Sequence, residues 1–161
     1  MKYGTWTISS YEQDAVHALR RAGWSPVTAA VLCSRGYDTE EKARAFLSAD
    51  MPLSSPMDLL DMDKAVKRVK KALERREHIC VFGDYDVDGI TATCLLTDFL
   101  RKRGGRVTSY IPARLEEGYG LNEIAVRALK EQGVKLIVTV DCGITATQEA
   151  ALCRELGMEL V

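Results

Sequence analysis

The sequence predicts an α/β fold: a parallel sheet with flanking helices, preceded by a small helical N-terminal segment. Three observations carry this. Short apolar runs at 79–82, 106–111 and 136–140 alternate with helix-length amphipathic segments, the pattern of βαβ units. The first fifty or so residues show helical periodicity and no strand-like run. Pro52-Leu53-Ser54-Ser55-Pro56 reads as a loop between the two regions, so the expected division is 1–58 and 59–161.

Within the first region, Asp14 to Leu19 starts an amphipathic helix that Gly23 and Pro26 interrupt. Ser25-Pro26 opens a second helix through Ala29, Val31 and Leu32, stopping near Gly36. Thr39-Glu40-Glu41-Lys42 reads as an N-cap with an acidic first turn, leading into Ala43, Ala45, Phe46 and Leu47. None of these helices displays chemistry. Residues 63–76 form a further helix with Ala65, Val66, Val69, Ala72 and Leu73 on one face. Lys64, Lys67, Arg68, Lys70, Lys71, Arg75 and Arg76 crowd the rest, as a solvated surface or as a face that follows phosphates.

From His78 the pattern changes. Ile79-Cys80-Val81-Phe82 is a buried strand, and residues 90–103 are a helix ending at Gly104-Gly105. A strand at 106–111 stops at Pro112. A helix at 122–132 stops at Gly133, and a strand follows at 136–140. The helix at 145–156 closes at Gly157, and Met158-Glu159-Leu160-Val161 begins a fourth strand. A strand inside a parallel sheet normally leads into a crossover, so the chain is expected to be a fragment of a longer protein.

Apolar residues at 47% and charged residues at 28% give the balance of a globular protein. A net charge of -1 neither argues for a polyanionic partner nor excludes one, because basic groups can be confined to one groove. The five cysteines are odd in number and form no CxxC pair, which predicts buried free thiols in a reducing compartment. Cys80 and Cys94, flanking the acidic run, are expected to lie in apolar surroundings. The N-terminus lacks the apolar stretch of a signal peptide, and nothing approaches the ~20 apolar residues of a membrane span. The expected location is cytoplasmic, with no membrane partner.

Gly83-Asp84-Tyr85-Asp86-Val87-Asp88-Gly89 is the informative run. It follows a buried strand and precedes a helix, and ligands of open α/β sheets gather outside the carboxyl ends of strands. Carboxylates this close repel one another, and a hard divalent cation relieves that cost. Gly89 is expected to permit a tight turn where a Cβ would collide. An EF-hand loop fits poorly, because its twelfth position would be Leu95 where a bidentate Glu is needed, and a buried strand stands where the entering helix should be. A haloacid-dehalogenase-like nucleophile motif fits poorly, since Ile90 stands where a Thr should be and Asp84 has no role. A metal-ligand cluster for phosphate-ester hydrolysis remains.

Val140-Asp141-Cys142-Gly143-Ile144 repeats the arrangement of strand, acid, glycine and helix. Parallel strands put Asp141 on the same sheet edge as the first cluster. Alone it would read as a helix cap near Thr145; beside the acidic run it reads as a fourth metal-binding carboxylate. The loop from Tyr110 to Asn122 leaves that same edge. Gly118 and Gly120 there are expected to allow close backbone approach, Arg114 to hold a phosphate, and Tyr119 to stack on a base. The competing readings are an ion pair of Arg114 with Glu116 or Glu117, and simple loop packing for Tyr119.

VFGDYDVDGITAT, VDCGI and YIPARLEEGYGL together resemble the motifs of the DHH phosphoesterase superfamily, in particular its exonuclease branch. AAVLCSRGYDTEEKARAFL and PMDLLDMDKAVKRVKKAL are similar to segments that precede the first motif in that branch. The resemblance implies a Rossmann-like sheet forming part of a DHH domain. It implies stepwise 5′-to-3′ hydrolysis of single-stranded DNA in repair and recombination, with Mn2+ or Mg2+. Asp86, Asp88 and Asp141 match the family's metal-ligand and catalytic positions, and Asp84 an acidic position that supports the site or adds a ligand. Two-ion hydrolysis, with ions roughly 3.5–4 Å apart, then makes Asp141 the candidate bridge between them. Single-stranded DNA is the implied partner, with a single-strand-binding protein and a RecQ-type helicase as implied protein partners. The family's Asp-His-His triplet is absent here, and His17 and His78 fit no motif. The chain alone is therefore expected to bind metal weakly and not to turn over. Two further readings stay open: a phosphoesterase for short oligonucleotides or cyclic dinucleotides, and a non-catalytic scaffold.

Overall fold

The computed structural model describes Thr7, residues 9–48 and residues 53–161. The start of the N-terminus and Pro52 of the expected boundary loop lie outside the described residues. The chain divides into two compact units, Met1–Ser54 and Ser55–Val161.

In the first unit, α1 is Gln13–Arg21, α2 is Pro26–Ser34 and α3 is Glu40–Leu47. Ser25 and Thr39 cap α2 and α3 as their sequences predict. Their hydroxyl oxygens accept from the N–H groups of Thr28 at 3.1 Å and Lys42 at 3.3 Å. Val16, Leu19, Ala29, Leu32, Cys33 and Ala43 form the core of this unit.

The second unit opens with a 3-10 turn at Pro56–Asp58 and α4 at Met62–Glu74. It continues as β1 His78–Phe82, α5 Val87–Lys102, β2 Arg106–Tyr110, α6 Glu123–Glu131, β3 Leu136–Thr139, α7 Thr147–Glu155 and β4 Glu159–Leu160. The strands pair in parallel in the order β2-β1-β3-β4. The side chains of β1 are all buried, alternately on the two faces of the sheet. Cys80 and Phe82 pack with Ala125, Val126 and Leu129 of α6 and Cys153 of α7. Ile79 and Val81 pack with Ala72 of α4 and Leu100 of α5. Helices thus cover both faces, which is why β1 reads as an unbroken apolar run.

His78 is structural. Its ring nitrogens lie 3.2 Å from the Gln132 carbonyl and 3.1 Å from Thr108 Oγ1. The β2 edge is partly closed, because Arg101 donates through Nε and Nη2 to the Val107 carbonyl, at 3.1 and 2.9 Å. The basic face of α4 is partly neutralised: Lys64 pairs with Asp61 at 2.6 Å and Lys67 with Asp63 at 3.2 Å. Arg68 turns inward, donating to Glu77 at 2.7 Å. Its Nε also lies 2.8 Å from Glu159, a charge contact without hydrogen-bond alignment.

All five cysteines are free. Cys33, Cys80 and Cys153 are buried, but Cys94 is exposed, against expectation. The face of α5 turned to the sheet carries Thr93, Thr97 and Leu100, which leaves Cys94 on the outside.

Candidate metal centre

β1 and β3 are neighbours in parallel register, Phe82 opposite Thr139, so their carboxyl ends lie side by side. The ladder runs one step past the strands. Gly83 N–H donates to the Tyr110 carbonyl at 3.0 Å and Val140 N–H to the Phe82 carbonyl at 2.9 Å. The acidic run, the loop after β2 and the Asp141 turn therefore leave one sheet edge from anchored bases.

Asp84 is only 4% exposed. The first turn of α5 lies directly on it: a Cβ on Gly89 would stand 2.5 Å from the Asp84 carbonyl oxygen. A Cβ on Gly83 would stand 1.9 Å from Thr93 Oγ1, the hydroxyl that donates to the Gly89 carbonyl at 2.7 Å. Gly89 is thus required for close packing of the helix on the strand end. The tight turn expected of it is not there, because the residue is already helical. Asp84 Oδ1 is buried with no hydrogen-bond partner. A buried carboxylate oxygen in that state is costly unless a cation faces it.

The helix begins three residues earlier than the sequence reading placed it, at Val87 instead of Ile90. Asp86 is the reason. It is the N-cap, and its Oδ1 accepts from Gly89 N–H at 2.9 Å. Asp88 consequently sits in the first helical turn, where a negative charge is favoured by the helix dipole. Both residues are exposed.

Asp141 adopts a left-handed backbone with φ 54°, a region that Asp tolerates better than most residues. It does not cap the following helix, since α7 starts at Thr147 behind Ala146. Its carboxyl is held above its ordinary pKa by local desolvation, by the charges of Asp86, Asp88 and Asp84, and by a hydrogen bond with Asp86. Because the residue is exposed, the neighbouring carboxylates are the physically weightier cause. The structure therefore draws the acids after β1 toward the acid after β3. Among the described residues, no three or more Asp, Glu, His or Cys side chains close into a coordination shell. Asp86 has one oxygen committed to capping α5.

The loop after β2 is tied to both acidic segments. The Arg114 guanidinium lies over the Tyr85 ring, 5.0 Å from its centroid. Tyr119 Oη donates to the Asp141 carbonyl at 3.4 Å. Neither Glu116 nor Glu117 forms an ion pair with Arg114 among the described residues. Glu117 accepts instead from Tyr110 Oη at 2.7 Å, from Ala113 N–H at 2.9 Å and from Asn122 Nδ2 at 3.3 Å. Gly118 and Gly120 have φ of 79° and 81°, with no protein atom within 4 Å of where a Cβ would sit. Their glycines serve backbone conformation and do not make room for a close approach within the protein. The sequence gives no role to Tyr85 and offers Glu117 only as an ion-pair partner of Arg114, so the contacts these two make are new. An aromatic residue between two acids was the available signal for the first, and spacing from Tyr110 and Asn122 for the second.

Residues 78–161 match the family described as DHH family, N-terminal domain. The chain is 42% identical over 158 residues to the single-stranded-DNA-specific exonuclease RecJ of Bacillus subtilis (strain 168), covering 97% of this chain and 20% of the relative. It is 36% identical over 136 residues to the corresponding exonuclease of Thermus thermophilus, covering 84% and 19%. Among solved structures, exonuclease RecJ bound to manganese aligns at 40% identity with a TM-score of 0.61, over 68% of this chain and 28% of that one. RecJ from Thermus thermophilus in complex with Mn2+ aligns at 29% identity and a TM-score of 0.57, over 95% and 21%. The chain spans about a fifth of the length of the two curated relatives it is compared with.

Proposed function

The chain belongs to the DHH family, and from that membership we propose that it carries one flank of the metal centre of a 5′-to-3′ exonuclease for single-stranded DNA. The observation that carries the reading is the parallel pairing of β1 with β3, which brings the acidic run and Asp141 off one end of the sheet, with Asp84 Oδ1 buried there without a hydrogen-bond partner. Names of relatives as single-stranded-DNA-specific exonucleases support the substrate, and a manganese-bound relative supports the metal.

The donors suit a hard divalent cation such as Mn2+ or Mg2+, being carboxylate oxygens throughout. Asp84, with its unpartnered buried oxygen, Asp86, Asp88 and Asp141 are the residues that hold it. A cation held there would supply an activated water and stabilisation of charge on the phosphate ester. Arg114 keeps its N–H edge for a phosphate while its face rests on Tyr85. Tyr119, 59% exposed, offers its ring to a base while its hydroxyl is held at Asp141. Gly118 and Gly120 shape the backbone on either side of Tyr119. A cytoplasmic role in repair and recombination, alongside a single-strand-binding protein and a RecQ-type helicase, belongs to the same reading. No helix among the described residues is long and apolar enough to cross a membrane.

The test is calorimetric titration of the chain with Mn2+. Asp141→Asn keeps the left-handed backbone and removes the charge. It should weaken manganese binding by roughly a hundredfold or more, since even losses outside the ligand set cost about 10–100-fold, while circular dichroism stays unchanged. Placing the chain in the Bacillus subtilis relative, in exchange for the matching segment, should preserve manganese-dependent release of nucleotides, and Asp141→Asn should abolish it. Unaltered manganese affinity in the variant sinks the reading.

A further inference from the structure

We infer that Glu117 is the positioning residue of the nucleic-acid loop: its carboxylate locks the Tyr110-to-Asn122 segment so that Arg114 and Tyr119 meet the strand-end acids together. The inference rests on the proposed function above and deepens it.

Glu117 has no place in the chemistry. It lies in the middle of a loop whose two ends are fixed elements, β2 and α6. One carboxylate oxygen accepts from Ala113 N–H and the other from Tyr110 Oη and Asn122 Nδ2. These donors come from the last residue of β2, from the loop itself, and from the N-cap of α6. Asn122 is doubly used, because its Oδ1 also accepts from Ala125 N–H at 2.8 Å. The loop closes on one side chain, tied at both ends.

The consequence falls on the neighbours of Glu117. Arg114 follows Ala113 and lies over Tyr85, between Asp84 and Asp86. Tyr119 stands two residues beyond Glu117 and reaches the Asp141 carbonyl. The spatial relation between a cation for phosphate and a ring for a base is thus set by a carboxylate that touches neither. Engagement of Glu117 by three donors also keeps it from pairing with Arg114, which would cancel the charge a phosphate needs. Glu116, beside it, is exposed and makes no ion pair with Arg114 among the described residues.

The test uses the 161-residue chain, with a 5′-phosphorylated single-stranded oligonucleotide and Mn2+ as probes. Glu117→Ala should weaken oligonucleotide binding by about tenfold, the scale of losing charge-assisted hydrogen bonds, and leave manganese affinity unchanged. Glu117→Gln retains the acceptor for Ala113 N–H and should recover part of the loss. The Arg114 Nε–H resonance, shifted by the Tyr85 ring, should move toward its free position in Glu117→Ala. In a background of Arg114→Ala with Tyr119→Ala, Glu117→Ala should cost nothing more, because it acts through those two residues. Undiminished binding by Glu117→Ala overturns the inference, as does a loss that persists in full in the double background. Failure of the Bacillus subtilis relative carrying this chain in place of its matching segment to release nucleotides with manganese overturns the proposed function, and the inference with it.

Discussion

Gly89 shows how one missing methyl group shapes the site. A Cβ there would press on the backbone of Asp84 at 2.5 Å, and backbone has little freedom to give. Gly89→Ala should therefore destabilise the chain by about 1–3 kcal/mol, the usual cost of overpacking. Urea denaturation measures it; a midpoint equal to that of the unaltered chain would contradict the close packing. The acidic run stands out in the sequence, but the burial of Asp84 and the capping of α5 by Asp86 come only from the fold. The left-handed backbone of Asp141 was not legible either, since nothing local in Val140-Asp141-Cys142 demands it; it follows from the exit of β3 beside β1. Nor was the partner of Arg114. The sequence offers Glu116 and Glu117 as neighbours, and only the fold brings Tyr85 under the guanidinium.

At the scale of elements, β2 ends in a ring that belongs to two environments. Tyr110 stacks on Phe82, with centroids 5.2 Å apart, and donates its hydroxyl to Glu117. Burial, then the hydrogen bond to Glu117 and its charge, push its phenol up to about 12. The folded state thus holds this proton more tightly than the unfolded chain, whose Tyr titrates near its ordinary value of about 10. The associated stability is present below that value and is lost as pH rises through it toward about 12. Tyr110→Phe should flatten the fall of stability in this alkaline window, read from denaturation midpoints at successive pH values. Some decline should remain, because burial pushes the Cys80 thiol up to about 12 as well. Glu117 acts in the opposite direction. Hydrogen bonds from Ala113 and Tyr110 lower its pKa, so its contribution is present above the ordinary Glu value and lost as acid protonates it. Helix starts at Ser25, Thr39 and Asn122 were readable because a cap is a local event. The start of α5 lies three residues before the expected Ile90 because Asp86 caps it, as Ser25, Thr39 and Asn122 cap theirs.

For the whole molecule, alternation of strand and helix was enough to foresee a parallel sheet, since consecutive parallel strands need crossovers. The order β2-β1-β3-β4 was not readable, because pairing depends on which faces the helices can cover. With α4 and α5 on one face and α6 and α7 on the other, the chain leaves the carboxyl ends of β1 and β3 toward opposite faces, the position where ligands of open α/β sheets gather. Each unit has its own hydrophobic clusters. Residues 55–161 made alone should accordingly unfold cooperatively and bind manganese as the full chain does. Non-cooperative melting of that piece, followed by circular dichroism, would show that the second unit depends on the first.

The φ of 54° at Asp141 has a genetic corollary. Backbone and charge both select Asp at this position, but Asn and Gly satisfy the backbone alone. On the proposed function, an allele encoding Asp141→Asn would supply a folded protein that lacks one cation-holding charge and keeps Arg114 and Tyr119 unaltered. Such a protein would compete with the unaltered one for a shared ligand and so behave as an interfering allele, where one encoding Gly89→Ala would lower the amount of folded protein.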